Sequence, residues 1–198
     1  MTIGRHEIIH TQTVHAGWTK ILVATIRLPD GSTIKREIED HGAAVCVLPY
    51  HPLRKTAILV RQFRAPTFFA ANQENTLEAI AGILEESDPA ECARREAMEE
   101  AGLNLVSLEC AFTGWTMPGL STERMYFYLA AYSGEARANV SGGVASEHEN
   151  IVAVEVDLSG LAKMVDRGQL TDVKTMLLLQ SLRLRKPELF TEYRVASA

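Results

Sequence analysis

The sequence has few of the residues that mark a disulfide-bonded or zinc-binding protein. Its 198 residues include three cysteines, and none of them belongs to a Cys-x-x-Cys pair. Six histidines are present, but their spacing matches no metal-binding pattern. Isolated cysteines in odd number exclude a disulfide framework and fit a reducing compartment. We therefore expect a cytoplasmic protein.

Long apolar runs and basic clusters are missing as well. Every apolar run is far shorter than the roughly 20 residues of a membrane-spanning helix, and the N-terminus does not read as a secretory signal peptide. The net charge is −5, without a basic run that could form a nucleic-acid-binding surface. These absences predict neither a membrane partner nor a nucleic-acid partner.

What remains is the composition of a globular protein, with 46% hydrophobic residues. Apolar periodicity and turn residues predict helices at 158–166 and 172–185, and loops at 66–75 and 133–150, the second of them mobile. The predicted strands cover residues 7–13, 18–28, 33–39, 43–48, 56–62, 76–80, 106–113, 123–132 and 151–156. Strands on both sides of one helix, with helices at the end, favour an α+β fold or an α/β/α sandwich.

The first three strands precede the main body of the chain, and a Pro-Asp-Gly-Ser turn joins the second to the third. We expect residues 1–40 to form an N-terminal β subdomain. Residues 41–198 would then form the main domain, whose length suits a core of ordinary size.

The most informative stretch is an acidic helix with clear start and stop signals. Asp88 is placed to cap it, Pro89 suits its first turn, and Glu91 completes the spacing of a capping box. Gly102 is placed to end the helix in a left-handed conformation. One narrow face is made of small residues and can lie close against a sheet. Those residues are Ala90, Ala93, Ala97 and Ala101.

Three carboxylates crowd the edge of that alanine face. Glu96 and Glu100 lie one turn apart beside it, and Glu99 lies further round. A charged helix face is often merely solvated, but the preceding glycine loop and the Arg95-Glu96 pair argue for a function. A hard divalent cation with oxygen ligands would offset the repulsion between like charges. Arg95 can pair with Glu99 along the helix, which indicates a structural role.

This segment resembles the Nudix box, the motif Gly…Arg-Glu-x-x-Glu-Glu-x-Gly-aliphatic of the Nudix hydrolases. The matching residues are Gly82, Arg95, Glu96, Glu99, Glu100, Gly102 and Leu103. The loop from Gly82 to Arg95 is one residue shorter than usual, and Ser87 stands at an expected acidic position. The resemblance implies a Nudix fold with a mixed central sheet, an N-terminal β-hairpin extension, and hydrolysis that depends on Mg²⁺, with Mn²⁺ as the alternative ion.

The resemblance also implies roles for residues around the box. The metal would be bound by Glu96, Glu100 and the carbonyl of Ala81, and Glu99 and Glu100 are the helix's catalytic candidates. Gly82 leaves room for the backbone to approach the metal and the substrate.

A further carboxylate is expected from the loop before residue 151. Glu149 is the first candidate for a metal ligand and catalytic base, and Glu147 is the second. Both stand where many sugar-nucleotide Nudix enzymes keep such a glutamate. The alternative is that both are solvent-exposed and inert, as is common for acidic residues in polar loops.

Beyond the box, nearly the whole chain resembles the GDP-mannose pyrophosphatase branch of the family, which shares the shortened loop. The segments that carry this resemblance are 61–64, 117–123, 132–143 and 172–175. It implies substrate contacts by Arg64, Glu123 and Lys174, with the phosphates assigned to Arg64 and Lys174. It also implies a homodimer in which the N-terminal hairpin serves the other subunit's site, through Trp18, Lys35, Arg36 and Glu37.

Three functions follow from the sequence. The first is Mg²⁺-dependent cleavage of the pyrophosphate of a nucleoside diphosphate sugar, with GDP-mannose as substrate. The products would be a nucleoside monophosphate and a sugar 1-phosphate. The second is the same reaction on ADP-ribose, because relatives that act on it share the fold and the acidic helix. The third is a non-catalytic nucleotide-binding module, against which the intact glutamates argue.

Overall fold

The computed structural model describes residues 4–85, 87–134, 141–142 and 151–191. The chain divides into two compact units. The first unit contains Met1–Ala44 and Gly114–Met125, and the second contains Val45–Thr113 and Tyr126–Ala198. The first unit therefore combines the N-terminal region with a segment that is distant in sequence.

The first unit is built on a three-stranded antiparallel sheet in the order β1-β2-β3. Its strands are β1 (Glu7–Ala16), β2 (Lys20–Arg27) and β3 (Thr33–Asp40). The later segment joins this unit at Glu39, whose N–H donates to Leu120 at 2.9 Å and whose carbonyl accepts from Thr122 at 2.9 Å. Every residue of β1 is exposed. The predicted N-terminal extension is present, as three strands whose first is an open edge.

The second unit contains most of an eight-stranded sheet in the order β10-β11-β5-β4-β9-β8, with β6 paired to β5 and β7 paired to β4. Its strands are β4 (Ala43–His51), β5 (Thr56–Gln62), β6 (Thr76–Glu78), β7 (Ile80–Ile83), β8 (Glu109–Trp115), β9 (Arg124–Ala131), β10 (Ser141–Gly142) and β11 (Ile151–Asp157). The central strands β4 and β5 are rich in Val, Ile and Leu, as expected for strands that are buried on both faces.

In the described part of the chain, four α-helices accompany the sheet, and the first of them buries none of its residues. They are α1 (Ala65–Ala71), α2 (Pro89–Ala101), α3 (Leu158–Asp166) and α4 (Val173–Arg185), followed by a 3-10 turn at Pro187–Phe190. Val47 and Val60 pack with the alanine face of α2, and their neighbours Leu48 and Leu59 are fully buried too. Since successive strand residues point to opposite faces, the sheet lies between two layers. The predicted sandwich of helices and sheet is confirmed.

Among the described residues, no helix is both long enough and apolar enough to cross a membrane.

Two predicted loops contain regular structure. The segment 66–75 was expected to be a loop, but most of it belongs to α1, which begins after Arg64 and ends at Asn72 in a left-handed conformation. None of its residues is buried, so the helix leaves no apolar periodicity in the sequence. Within 133–150, Ser141 and Gly142 form β10 and pair with the start of β11.

The single strand predicted at 76–80 is two strands with different partners, because β6 pairs with β5 and β7 pairs with β4. The change occurs at Ala79, whose N–H donates to the Thr175 hydroxyl oxygen at 2.5 Å. A side chain of α4 thus takes a hydrogen bond that a continuous strand would direct to its neighbour.

Candidate active site

Helix α2 forms as its sequence predicts. The Asp88 carboxylate accepts from the Ala90 N–H at 2.9 Å, and Pro89 is the first helical residue. Gly102 ends the helix with φ of 63°, in the left-handed region that glycine tolerates best. The predicted capping box does not form, because Asp88 accepts from Ala90 rather than from Glu91, and the Glu91 carboxylate pairs with Arg94 at 2.6 Å.

The carboxylates of α2 differ in burial as the helical wheel predicts. Glu96 is 9% exposed and Glu100 is 6% exposed, on the side of the fully buried Ala93 and Ala97. Glu99 is exposed. Two carboxylates are therefore held in a largely buried position, where charge is costly unless it is compensated.

Glu96 lies directly against the backbone of β7. A Cβ atom built on Gly82 would fall 1.9 Å from Glu96 Oε1 and 2.1 Å from its Cδ. Any side chain at position 82 would displace the carboxylate, so glycine is needed here for close approach. Ala81, the predicted source of a carbonyl ligand, is the preceding residue of β7.

Arg95 holds two of the α2 carboxylates together. Its Nη1 donates to Glu99 Oε2 at 2.8 Å, and its Nη2 lies 2.8 Å from Glu96 Oε1. The Glu99 pairing is the one expected from the helical spacing, whereas the Glu96 contact is additional. Arg95 fixes the orientation of both carboxylates, which agrees with the structural role assigned to it.

A second charged cluster surrounds the buried carboxylate of Glu78, which is 2% exposed. Arg64 donates to both of its oxygens, from Nε to Oε1 at 3.0 Å and from Nη2 to Oε2 at 3.0 Å. Lys174 Nζ donates to Oε2 at 2.5 Å. The two cations that were predicted to bind phosphate are thus brought together by a residue that the sequence analysis did not select.

The start of α4 completes this arrangement. Asp172 caps the helix by accepting from the Thr175 N–H at 3.1 Å, and it also accepts from the Thr175 hydroxyl and from Lys174 Nζ at 3.0 Å. The Thr175 hydroxyl oxygen accepts in turn from Ala79. We call Arg64, Glu78, Asp172, Lys174 and Thr175 the Glu78 network.

The pKa values of the network follow from burial and pairing. Burial raises the pKa of Glu78, but the Arg64 hydrogen bonds and the Lys174 charge outweigh it and hold that pKa below its ordinary value. Burial lowers the pKa of Arg64 and of Lys174, yet their acidic partners raise both above the ordinary values. Glu100 is among the charges that act on Arg64. Glu78, Arg64 and Lys174 are therefore ionised at neutral pH.

The remaining predicted site residues that the structure describes lie in the first unit. Trp18 is 84% exposed, and its ring centroid lies 4.8 Å from that of His41. His41 Nδ1 lies 3.5 Å from Glu123 Oε1, so His41 connects two residues that were predicted to contact substrate. The other three are exposed on β3: Lys35, Arg36 and Glu37.

Glu147 and Glu149 lie outside the described residues. Within the part of the chain that the structure describes, no group of three or more His, Cys, Asp or Glu side chains is arranged to hold a metal ion. The α2 helix contributes two buried carboxylates, so a third carboxylate ligand stays a prediction.

The sequence carried one signal that could have identified Glu78. In the segment 76–80, alternate residues point to the same face, and Thr76, Glu78 and Ile80 are all buried. A glutamate that shares a buried face with isoleucine needs cationic partners.

Comparison with known proteins identifies the family. The NUDIX domain model matches residues 40–178. The chain is 40% identical over 159 residues to a GDP-mannose pyrophosphatase of Cronobacter sakazakii, covering 79% of this chain and 82% of that protein. It is also 39% identical over 158 residues to proteins of the same name from Escherichia coli O157:H7 and from Shigella dysenteriae. Each match covers 78% of this chain and 82% of the relative.

A solved structure described as an ADP compounds hydrolase superimposes with a TM-score of 0.75, covering 96% of this chain and 100% of that one. Its sequence identity is 16%, so it shows the fold alone. Nudix hydrolases generally use a divalent metal ion, usually Mg²⁺. The sequence-based prediction of the family and of the GDP-mannose pyrophosphatase resemblance is confirmed: the chain belongs to the Nudix family of hydrolases.

Proposed function

We propose that this Nudix hydrolase cleaves the pyrophosphate of GDP-mannose to GMP and mannose 1-phosphate in a reaction that depends on Mg²⁺. The observation that carries the proposal is the packing of the Glu96 carboxylate against Gly82, with Glu100 buried one turn later. This arrangement puts the Glu96 carboxylate beside the end of β7, the strand that precedes α2. The cations of the Glu78 network belong to the same unit.

The residues present fit a hard divalent cation. Glu96 and Glu100 offer only oxygen ligands, which Mg²⁺ and Mn²⁺ prefer. The absence of a side chain at Gly82 lets the Glu96 carboxylate lie against the backbone of β7, next to Ala81. Glu96, Glu100 and the Ala81 carbonyl would hold the ion, together with Glu149. When bound, such an ion neutralises phosphate charge and lowers the pKa of a coordinated water.

The protein's own groups would bind the phosphates and move a proton. Arg64 and Lys174 would bind phosphate oxygens by charge-assisted hydrogen bonds. Arg95 keeps Glu96 and Glu99 oriented through its two hydrogen-bonded contacts. Glu149 would accept the proton of the attacking water, with Glu147 as the alternative base.

GDP-mannose is favoured over ADP-ribose by sequence similarity. The relatives at 39–40% identity are named GDP-mannose pyrophosphatases, whereas the ADP compounds hydrolase shares 16% identity and the fold.

The proposed substrate contacts include residues of the N-terminal sheet. Trp18 would stack on the base, while Lys35, Arg36 and Glu37 would contact the nucleotide sugar. Glu123 would contact the substrate or a water.

The substrate assignment is tested with a panel of GDP-mannose, ADP-ribose, ADP-glucose and NADH. Phosphatase is added so that each nucleoside monophosphate or sugar phosphate that forms releases inorganic phosphate. We expect kcat/KM to be highest for GDP-mannose, and chromatography to identify GMP and mannose 1-phosphate as the products before phosphatase is added. A preference of about tenfold or more for ADP-ribose, equal to ~1.4 kcal/mol in transition-state binding, would contradict the assignment.

The catalytic role of α2 is tested by Glu100→Gln, which removes one buried charge and keeps the side chain's shape. We expect kcat to fall by at least ~100-fold, because a charge-neutralising metal would be lost or weakened. Circular dichroism and the thermal midpoint should show that the fold is retained.

Glu91→Gln is the matched control for this change. Glu91 lies on the first turn of the same helix, and its side chain is 62% exposed. The turnover of the Glu91→Gln variant should therefore equal that of the wild type. Equal turnover by the wild type and Glu100→Gln with Mg²⁺ present would contradict the catalytic role of Glu100, whereas no turnover by the wild type would support the non-catalytic binding module.

The proposed active form is a homodimer assembled through the N-terminal sheet. The complete exposure of β1 supports it, because an open edge strand presents unpaired backbone groups that a second chain can cover. Sedimentation equilibrium should give twice the chain mass of 21.8 kDa. A mass of one chain at micromolar concentration would rule out this assembly.

A further inference from the structure

We propose that Glu78 is a positioning residue for phosphate binding. It fixes the guanidinium of Arg64 through two of its nitrogen atoms and leaves the third, Nη1, for the ligand. The inference rests on the proposed function only in taking the ligand to contain a pyrophosphate group. It does not depend on which base or sugar is attached.

The Glu78 carboxylate is built to hold a cation in one orientation. Its side chain is 3% exposed, and Arg64 meets it with two parallel hydrogen bonds of 3.0 Å. Such a bidentate pair fixes both the plane and the direction of a guanidinium. The backbone of Arg64 is held as well, since its carbonyl accepts from the Thr67 hydroxyl at 3.0 Å and from the Phe68 N–H at 3.0 Å.

One edge of Arg64 is left over by this pairing. Nε and Nη2 are used by Glu78, whereas Nη1 donates to no residue within the described ranges. The Arg64 side chain is 41% exposed although its partner is buried. A guanidinium that is fixed on one side and open on the other can meet a phosphate oxygen without first losing side-chain freedom, which is the advantage of preorganisation.

Lys174 holds the other side of Glu78. Its side chain is 14% exposed, and its ammonium is shared between Glu78 and Asp172. Asp172 is itself fixed by capping α4. Lys174 thus connects the Glu78 carboxylate to the N-terminus of α4, which restricts the movement of Glu78. The orientation of Arg64 is therefore set by a fixed anchor.

The test is a double-mutant cycle on the binding of methylenediphosphonate, a pyrophosphate analogue that is not hydrolysed, measured by calorimetry with Mg²⁺ present. Glu78→Gln keeps the shape of the side chain but offers one acceptor oxygen to two cations. We expect Glu78→Gln to weaken binding about tenfold, the loss typical of a misplaced charge-assisted hydrogen bond. Arg64→Met should weaken it by at least as much.

The decisive comparison is Glu78→Gln in the Arg64→Met background. If Glu78 acts through Arg64, this second change should alter the affinity by less than about twofold, because coupled residues are not additive. A loss as large as in the wild-type background would overturn the proposal, since it would show that Glu78 acts independently of Arg64. Failure of the wild-type protein to bind the diphosphonate would overturn it too.

Glu155→Gln is the matched control. Glu155 also accepts from an arginine, Arg54 Nε at 2.9 Å, and from the Thr56 hydroxyl at 2.5 Å, but it bonds to no member of the Glu78 network. The affinity of the Glu155→Gln variant for the diphosphonate should equal that of the wild type. If Glu78→Gln does not fold, Glu78→Asp replaces it in the cycle, because it keeps the charge and withdraws the carboxylate from Arg64.

The two proposals fail in different ways. Because the cycle measures binding of a diphosphonate without base, sugar or turnover, it gives the same result whichever nucleotide sugar is cleaved. A protein that hydrolyses no nucleotide sugar but shows the expected coupling would contradict the proposed function and leave the role of Glu78 supported.

Discussion

Buried negative charge is the constraint on which the site depends. Glu78, Glu96 and Glu100 are each less than a tenth exposed. Buried carboxylates are tolerated only when cations or hydrogen-bond donors compensate their charge. Within the described ranges, the residues of this site include three cations and five carboxylates. The cations are Arg64, Arg95 and Lys174, and the carboxylates are Glu78, Glu96, Glu99, Glu100 and Asp172. A divalent cation would offset part of this excess of carboxylates.

The α2 carboxylates and the Glu78 network are held in place by different elements of the fold. Glu96 and Glu100 are placed by one helix whose alanine face brings it close to the sheet, and Gly82 removes the last obstacle to contact. The Glu78 network instead joins a strand, the start of α1 and the start of α4. The helix would suit the proposed metal site because its carboxylates are rigidly spaced, whereas the network gathers from separate elements the two cations that we propose to bind the phosphates.

Local patterns explain how far the sequence could predict this structure. The limits of α2, its buried and exposed glutamates and the Arg95–Glu99 pair follow from spacing within one helix, and they are confirmed. The Glu78 network could not be predicted in this way. Glu78 is 14 residues from Arg64 and 96 residues from Lys174, so their contact depends on strand pairing and on the packing of α4. Helix α1 was missed because it buries none of its residues.

The proposed metal site is formed by α2 and the strand before it. Crystals grown with Mn²⁺ test it most directly, because anomalous diffraction locates the ion without assumptions about activity. We expect one anomalous peak within coordination distance of the Glu96 and Glu100 carboxylates and the Ala81 carbonyl, about 2.0–2.3 Å for oxygen ligands of small divalent ions. A peak bound elsewhere, or no peak beside these residues at millimolar Mn²⁺, would contradict it.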